Sequence, residues 1–184
     1  MKFNDHSKIR GLHAFLSASK YHWLNYDEDK LREVYANATA AARGTELHEY
    51  AERAIRLGIK QRTTKDTLNM YINDAIGYKM VPEVVLYYSK NCFGTADTLY
   101  FRENNSKLRI HDLKTGITPA HMEQLYIYEA LFCLEYGFRP SDIDAELRIY
   151  QSNEVMTDVP DPQLIFSIMD KIVLFDKIIT QMDE

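Results

Sequence analysis

Cysteine is scarce in this chain of 184 residues: Cys92 and Cys133 stand alone, without Cys-x-x-Cys spacing and among apolar or aromatic neighbours. That argues against a disulfide framework or an iron-sulfur ligand set and leaves two buried, reduced thiols as the expectation. A basic excess is missing as well. The net charge of −5 argues against a protein that coats nucleic acid electrostatically, while acids gathered round a cation remain compatible with it. No apolar run approaches the ~18 residues that span a bilayer, and the opening Met1-Lys2-Phe3-Asn4-Asp5-His6 is too polar for a signal peptide, so a cytoplasmic protein without a membrane partner is expected. Repeats, low-complexity tracts and linkers are absent too. One domain over residues 1–184 follows: a helical part over 1–80, a sheet with a crossover helix over 81–151, and a C-terminal helix over 160–183.

What is present is a 46% hydrophobic, 12% aromatic composition that can fill a core. Ser17 or Ser19 can cap a short aromatic helix through Trp23, and Asp27 a longer one through roughly Arg56, ended near Gly58. Thr64, Asp66 and Thr67 open another helix with Leu68, Tyr71, Ile72 and Ile76 at helical spacing and Gly77 as its stop. The period then changes. Residues 84–88, 96–101 and 108–113 are rich in β-branched and aromatic side chains, and Asn104-Asn105-Ser106 is a hairpin turn signal, which predicts three consecutive antiparallel strands. Thr118-Pro119 marks a helix start, carried to about Tyr136 and closed by Gly137. Residues 143–150 alternate as a fourth strand, and Pro160-Asp161-Pro162 leads into a last helix whose Ile165, Ile168, Ile172, Phe175 and Ile179 read as a core-covering face. The fold class is α/β, a mixed sheet of about four strands flanked by helices on both faces.

Several side chains in this layout carry chemistry. Asp112 sits in an apolar strand, where an ionised carboxylate is costly unless paired or metal-bound, and Asp97 stands near the start of the preceding strand beside Gly94, whose missing side chain lets a backbone or ligand approach. Two acids on adjacent strands want a cation, and oxygen ligands suit Mg²⁺ or Mn²⁺. Lys114 leaves the same strand face as Asp112, roughly 7 Å away. It reads either as a salt-bridge partner or as the ammonium that orients a nucleophile and stabilises phosphoryl charge. His48 shares a helix face with Gly44 and Glu52, though a lone helical histidine is more often packing than ligand. Glu83, after Pro82, is a further acid or an exposed strand end. Gln124 and Tyr128 lie one helical turn apart and can both hydrogen-bond a phosphate or base edge. The basic run Arg53, Arg56, Lys60, Arg62 and Lys65 is a solvated face or a phosphate track.

Taken together, Gly44-Thr45-Glu46-Leu47-His48, Glu83, Gly94-x-x-Asp97, Asp112-x-Lys114 and Gln124-x-x-x-Tyr128 resemble the PD-(D/E)XK nuclease superfamily, its RecB-type and phage exonuclease branch in particular. Leu16 to Ser19 with Trp23-Leu24-Asn25 looks like the opening of phage-encoded members. The resemblance covers roughly Gly44 to Tyr128 and implies a restriction-endonuclease-like core. It implies that His48, Asp97, Asp112 and the Leu113 carbonyl bind Mg²⁺ or Mn²⁺, that Lys114 assists the attacking water, that Glu83 is an auxiliary acid, and that Gln124 and Tyr128 contact DNA near the scissile phosphate. The third motif carries Asp112 where many members carry Glu, and the cysteine cluster that holds an iron-sulfur centre in some relatives is missing, so no such cluster is expected. The implied activity is metal-dependent DNA cleavage, as an exonuclease of phage-type recombination or repair, beside a single-strand annealing protein or helicase and in some relatives within a homo-oligomeric ring. Two other classes stay open: a nuclease-fold module that binds DNA without turnover, and a hydrolase of another phosphate ester.

Overall fold

The computed structural model describes residues 14–16 and 18–182; the candidate cap Ser17 and the opening six residues lie outside them. The chain divides between Arg43 and Gly44 into two compact units.

In the first unit the aromatic segment expected as a short helix is a 3-10 helix, Ala18–Asn25, followed by the start of α1 (Glu28–Leu57). Asp27 caps α1 as expected: Lys30 N–H donates to its Oδ1 at 2.8 Å, satisfying one of the donors a helix start leaves free. Phe15 meets Tyr35 edge to face with ring centroids 5.1 Å apart.

In the second unit α1 ends at Gly58, whose φ of +66 is the left-handed turn that glycine takes without steric cost. It is followed by α2 (Thr67–Gly77), β1 (Val81–Ser89), β2 (Cys92–Arg102), β3 (Lys107–Leu113), α3 (Glu123–Tyr136), β4 (Asp144–Gln151), β5 (Glu154–Asp158) and α4 (Pro162–Met182). Asp66 caps α2 by accepting from Asn69 N–H. The sheet order is β1-β2-β3-β4-β5. Every neighbouring pair is antiparallel except β3 and β4, which are parallel because α3 carries the chain across between them.

The sheet has five strands rather than about four. The fifth pairs with β4 through the two-residue loop Ser152-Asn153, since Gln151 faces Glu154. Both loop residues have positive φ, +52 and +64, the backbone that matches the twist of a two-residue hairpin. A second correction concerns α3, which starts at Glu123, not at Pro119. Gln151 holds the intervening segment open: its Nε2 donates to the carbonyls of Gly116 and Thr118, and its Oε1 accepts from Ala120 N–H.

Each face of the sheet has its own apolar cluster. On one, Leu86, Ala96, Leu99, Leu108, Ile110, Leu147 and Ile149 pack against Leu125, Leu131 and Phe132 of α3. On the other, Leu113 and Tyr150 pack against Ala51, Ala54 and Ile55 of α1 and Tyr71, Ile72 and Ala75 of α2. The last helix covers the core only in part. Ile165 is buried and Ile172 joins the α3 cluster, but Phe175 and Ile179 are exposed and line an apolar groove of about 310 Å³ with Ile127 and Cys92. Both cysteines are free, and burial pushes the Cys133 thiol up to about 12. Among the described residues no helix is long and apolar enough to cross a membrane.

Candidate active site

An irregularity in the first hairpin positions Asp97. Pro82 pairs with Thr98 and Val84 with Ala96, but Glu83 and Asp97 between them stay outside the ladder, with Glu83 at φ +54. Residues two apart in a strand ordinarily share a face. Here Ala96 packs in the α3 cluster, whereas the Thr98 side chain lies beside Tyr71 of α2. Alternation therefore reverses at this point, and Asp97 is left where the two faces meet. Pairing of β2 with β3 also stops at Thr98 and His111. The Asp97 carboxylate spans the resulting split, its Oδ2 accepting from Leu113 N–H at 2.8 Å.

Asp112 is the penultimate residue of β3 and only 2% exposed. Lys114, two residues on, donates from Nζ to Oδ1 at 3.2 Å and stands 3.0 Å from Oδ2. Oδ2 lies off the hydrogen-bonding direction of that ammonium and, though buried, has no hydrogen-bond partner. From Lys114 a chain of contacts runs into α3. Nζ donates to Gln124 Oε1 at 2.7 Å, Gln124 Nε2 donates to the Tyr128 hydroxyl at 3.0 Å, and that hydroxyl donates to the Thr95 carbonyl at 2.7 Å. The one-turn spacing of Gln124 and Tyr128 thus ties α3 to both acid-bearing strands. Gly94 permits it: a Cβ there would lie 2.9 Å from Cε1 of Tyr128.

The later part of α1 brings His48, whose Nδ1 is 3.5 Å from Asp97 Oδ2. One turn earlier, a Cβ on Gly44 would lie 2.8 Å from the Thr115 hydroxyl, so the room left by that glycine is taken by the residue following Lys114. Glu83 faces the same helix. Burial and then the negative charge of Glu52 raise its carboxyl, against the opposing pull of His48 and Arg56. Asp97 is lifted to about 6, first by burial and second by the charge of Asp112, with the Leu113 N–H and His48 working the other way.

The site therefore holds two acids in low-dielectric surroundings with one ammonium on Asp112, and that acid keeps an unsatisfied oxygen. Carboxylate oxygens and an imidazole nitrogen are donor types that a divalent cation takes, and Asp97, Asp112 and His48 carry them here. As they stand, no three His, Cys, Asp or Glu side chains among the described residues are drawn together as a ready metal cage. Asp97 is turned to the Leu113 N–H and Asp112 to Lys114, so a cation would have to compete with contacts internal to the protein.

Of the basic residues, Arg56 borders the site at Glu83. Arg56 donates to Glu52 at 2.8 Å and to the Pro82 carbonyl at 3.3 Å. Arg53 and Arg56 line an open groove of about 520 Å³ with Glu49, Glu52 and Leu57, a lining of mixed charge. Lys60 is exposed beyond the end of α1. Two contributors escaped the sequence reading. Tyr71 was visible only as an apolar helix position, yet its buried hydroxyl is raised well above the usual range by burial and then by Asp97, with Asp112 a lesser cause. Thr115 follows a motif lysine and carries no periodic signal. Compared with protein-family models, curated proteins and solved structures, the chain shows no match.

Proposed function

We propose that this chain is a metal-dependent phosphodiester hydrolase acting on DNA, of the PD-(D/E)XK type and with the role of an exonuclease in recombination or repair. The observation that carries the reading is the contact chain from Asp112 through Lys114 and Gln124 to Tyr128, closing on the strand that bears Asp97. A structural salt bridge needs only the first of these contacts. A bound Mg²⁺ or Mn²⁺ supplies neutralisation of phosphate charge and a lowered pKa for coordinated water.

The protein's own groups supply the rest. Asp97 and Asp112 give the site its negative charge, and His48 offers an imidazole nitrogen beside Asp97. Held from two sides, the Lys114 ammonium is a preorganised donor for the attacking water or for a phosphoryl oxygen as charge develops there. Gln124 and Tyr128 fix that ammonium and present polar edges to the DNA. Glu83 is an auxiliary acid at the margin.

A second reading, a DNA-binding module without turnover, is favoured by one observation: Lys114 already sits on Asp112 at 3.0 Å. End-labelled linear and circular DNA incubated with Mg²⁺ decides between the two. The hydrolase digests linear DNA, and resistance of circles marks an exonuclease. Asp112→Ala and Lys114→Ala should each lower the rate by about 10²–10³-fold while leaving the circular dichroism spectrum unchanged. Undiminished Mg²⁺-dependent cleavage by both variants would remove the proposed site; binding without products in the unaltered protein would leave the silent module.

A further inference from the structure

Beyond the reversal at Glu83 and Asp97, the β1–β2 hairpin has one face against α3 and one in solvent. Leu86 and Ala96 belong to the α3 cluster, and Gly94 lies under the Tyr128 ring. The intervening residues must point the other way. Val85, Tyr87 and Phe93 are 55%, 49% and 62% exposed. Tyr87 and Phe93 are cross-strand partners, and their rings stack with centroids 6.2 Å apart and planes 27° apart. Two large rings stacked in water on a hairpin, joined by no third aromatic contact among the described residues, present a flat aromatic face of the size that is often functional.

We propose that Tyr87 and Phe93 form a stacking platform for unpaired nucleobases of the DNA strand held at the candidate active site. The proposal deepens the nuclease reading and rests on it. Position is the first argument. Phe93 precedes Asp97 by four residues and Tyr87 follows Glu83 by four, about 13 Å along the strands. That is about four nucleotides of a stacked strand at 3.4 Å each, and fewer of an extended one. Size is the second. The two half-exposed rings and Val85 present on the order of 300 Å², well short of the ~800 Å² per partner that a stable protein interface needs, but ample for one or two bases. Chemistry is the third. Aromatic faces stack on any base without reading its identity, which suits an enzyme that must advance through sequence, and the net charge of −5 leaves stacking rather than a phosphate track to retain the strand.

The test is fluorescence anisotropy with a thymidine oligonucleotide of ~16 residues in EDTA, so that binding is read without cleavage. Tyr87→Ala/Phe93→Ala should bind about 5- to 100-fold more weakly than the unaltered protein, and Phe93→Tyr, which keeps a ring, within about twofold of it. An abasic oligonucleotide of equal length keeps the phosphates and loses the bases. The unaltered protein should bind it as weakly as the double variant binds thymidine, and the double variant should not distinguish the two. Equal thymidine affinity for the unaltered protein and the double variant, or undiminished preference for bases in the double variant, would overturn the proposal. So would a dimer in sedimentation that only the unaltered protein forms, since the rings would then serve self-association. Hydrolysis of bis(p-nitrophenyl) phosphate, too small to reach the rings, should be equal in both proteins. Its absence from the unaltered protein under all metals would remove the nuclease reading, while the anisotropy comparison still decides the platform.

Discussion

Lys114 is held by two partners of unlike character, a buried carboxylate and an amide oxygen, and the amide in turn by a phenol that reaches back to β2. The weak point of that arrangement is Gly94. Its replacement by alanine puts a methyl group 2.9 Å from the Tyr128 ring, closer than carbon atoms pack, so the ring must shift and strain the bond from its hydroxyl to the Thr95 carbonyl. Overpacking of this kind costs about 1–3 kcal/mol. Gly94→Ala should lower the urea midpoint accordingly, whereas adding Tyr128→Ala should recover part of the loss; simple additivity of the two changes in a double-mutant cycle would show that the pair does not interact. At this scale much was legible in the sequence. The pairing of Gln124 with Tyr128 and the shared face of Asp112 and Lys114 follow from helix and strand periods alone. What the glycines make room for does not, because Tyr128 and Thr115 approach Gly94 and Gly44 from elements remote in sequence.

Elements show the same division between local and remote causes. Caps at Asp27 and Asp66 and the stop at Gly58 depend on a few neighbouring residues and were readable. The false start of α3 and the missed β5 share a different cause, since side chains from elsewhere decide both. Gln151 keeps residues 116–120 out of helix. Asn153 fixes the β4–β5 turn by accepting from Thr67 N–H and hydroxyl while its own N–H donates to that hydroxyl at 2.7 Å. The turn carries no glycine, so only its two-residue length and the run Glu154 to Asp158 could have revealed the strand. The irregularity of β2 likewise shows only in the packing: Ala96, Leu99 and Phe101 all face α3, a phase slip that no regular strand has. The turn invites a direct test. Asn153→Ala removes bonds to the start of α2 and also strains a residue at φ +64, and should destabilise by about 1–2 kcal/mol. Asn153→Gly loses the side-chain bonds but keeps the conformation and the N–H bond, and should cost less. Thermal melts of the two variants separate the contributions, and equal losses would assign the whole effect to the bonds with Thr67.

For the whole molecule, pH reports on groups that burial holds in their neutral form. His111 is fully buried against Tyr150 and Tyr78, and burial first, then the charges of Arg148 and Arg109, lower it to about 3. Glu129 is 2% exposed with one oxygen unpartnered, and burial, then the charge of Asp158, lift it from 4.5 to about 7. Their signs are opposite. The folded state resists protonating His111, so that contribution is complete above pH 6.5 and is lost as pH falls toward 3, by about 1.4 kcal/mol per pH unit at most. It holds the Glu129 proton more tightly than the unfolded chain does, so that contribution is complete below 4.5 and is lost as pH rises toward 7. Comparing the unaltered protein with Glu129→Gln isolates the second effect, because every other group is common to both. Below pH 4.5 their stabilities should differ by a constant amount. Between 4.5 and 7 the variant should gain steadily, by about 3 kcal/mol in total, and above 7 the gap should stop growing. Urea unfolding of both proteins at intervals across that range measures it, and a gap that does not change with pH would mean that Glu129 titrates alike in the folded and unfolded protein. The residue itself shows why this was invisible in the sequence. Glu129 occupies one position of an otherwise apolar helix face, and only the arrival of β5 with Asp158 beside it, from a strand that the sequence reading missed, completes the environment that keeps it protonated.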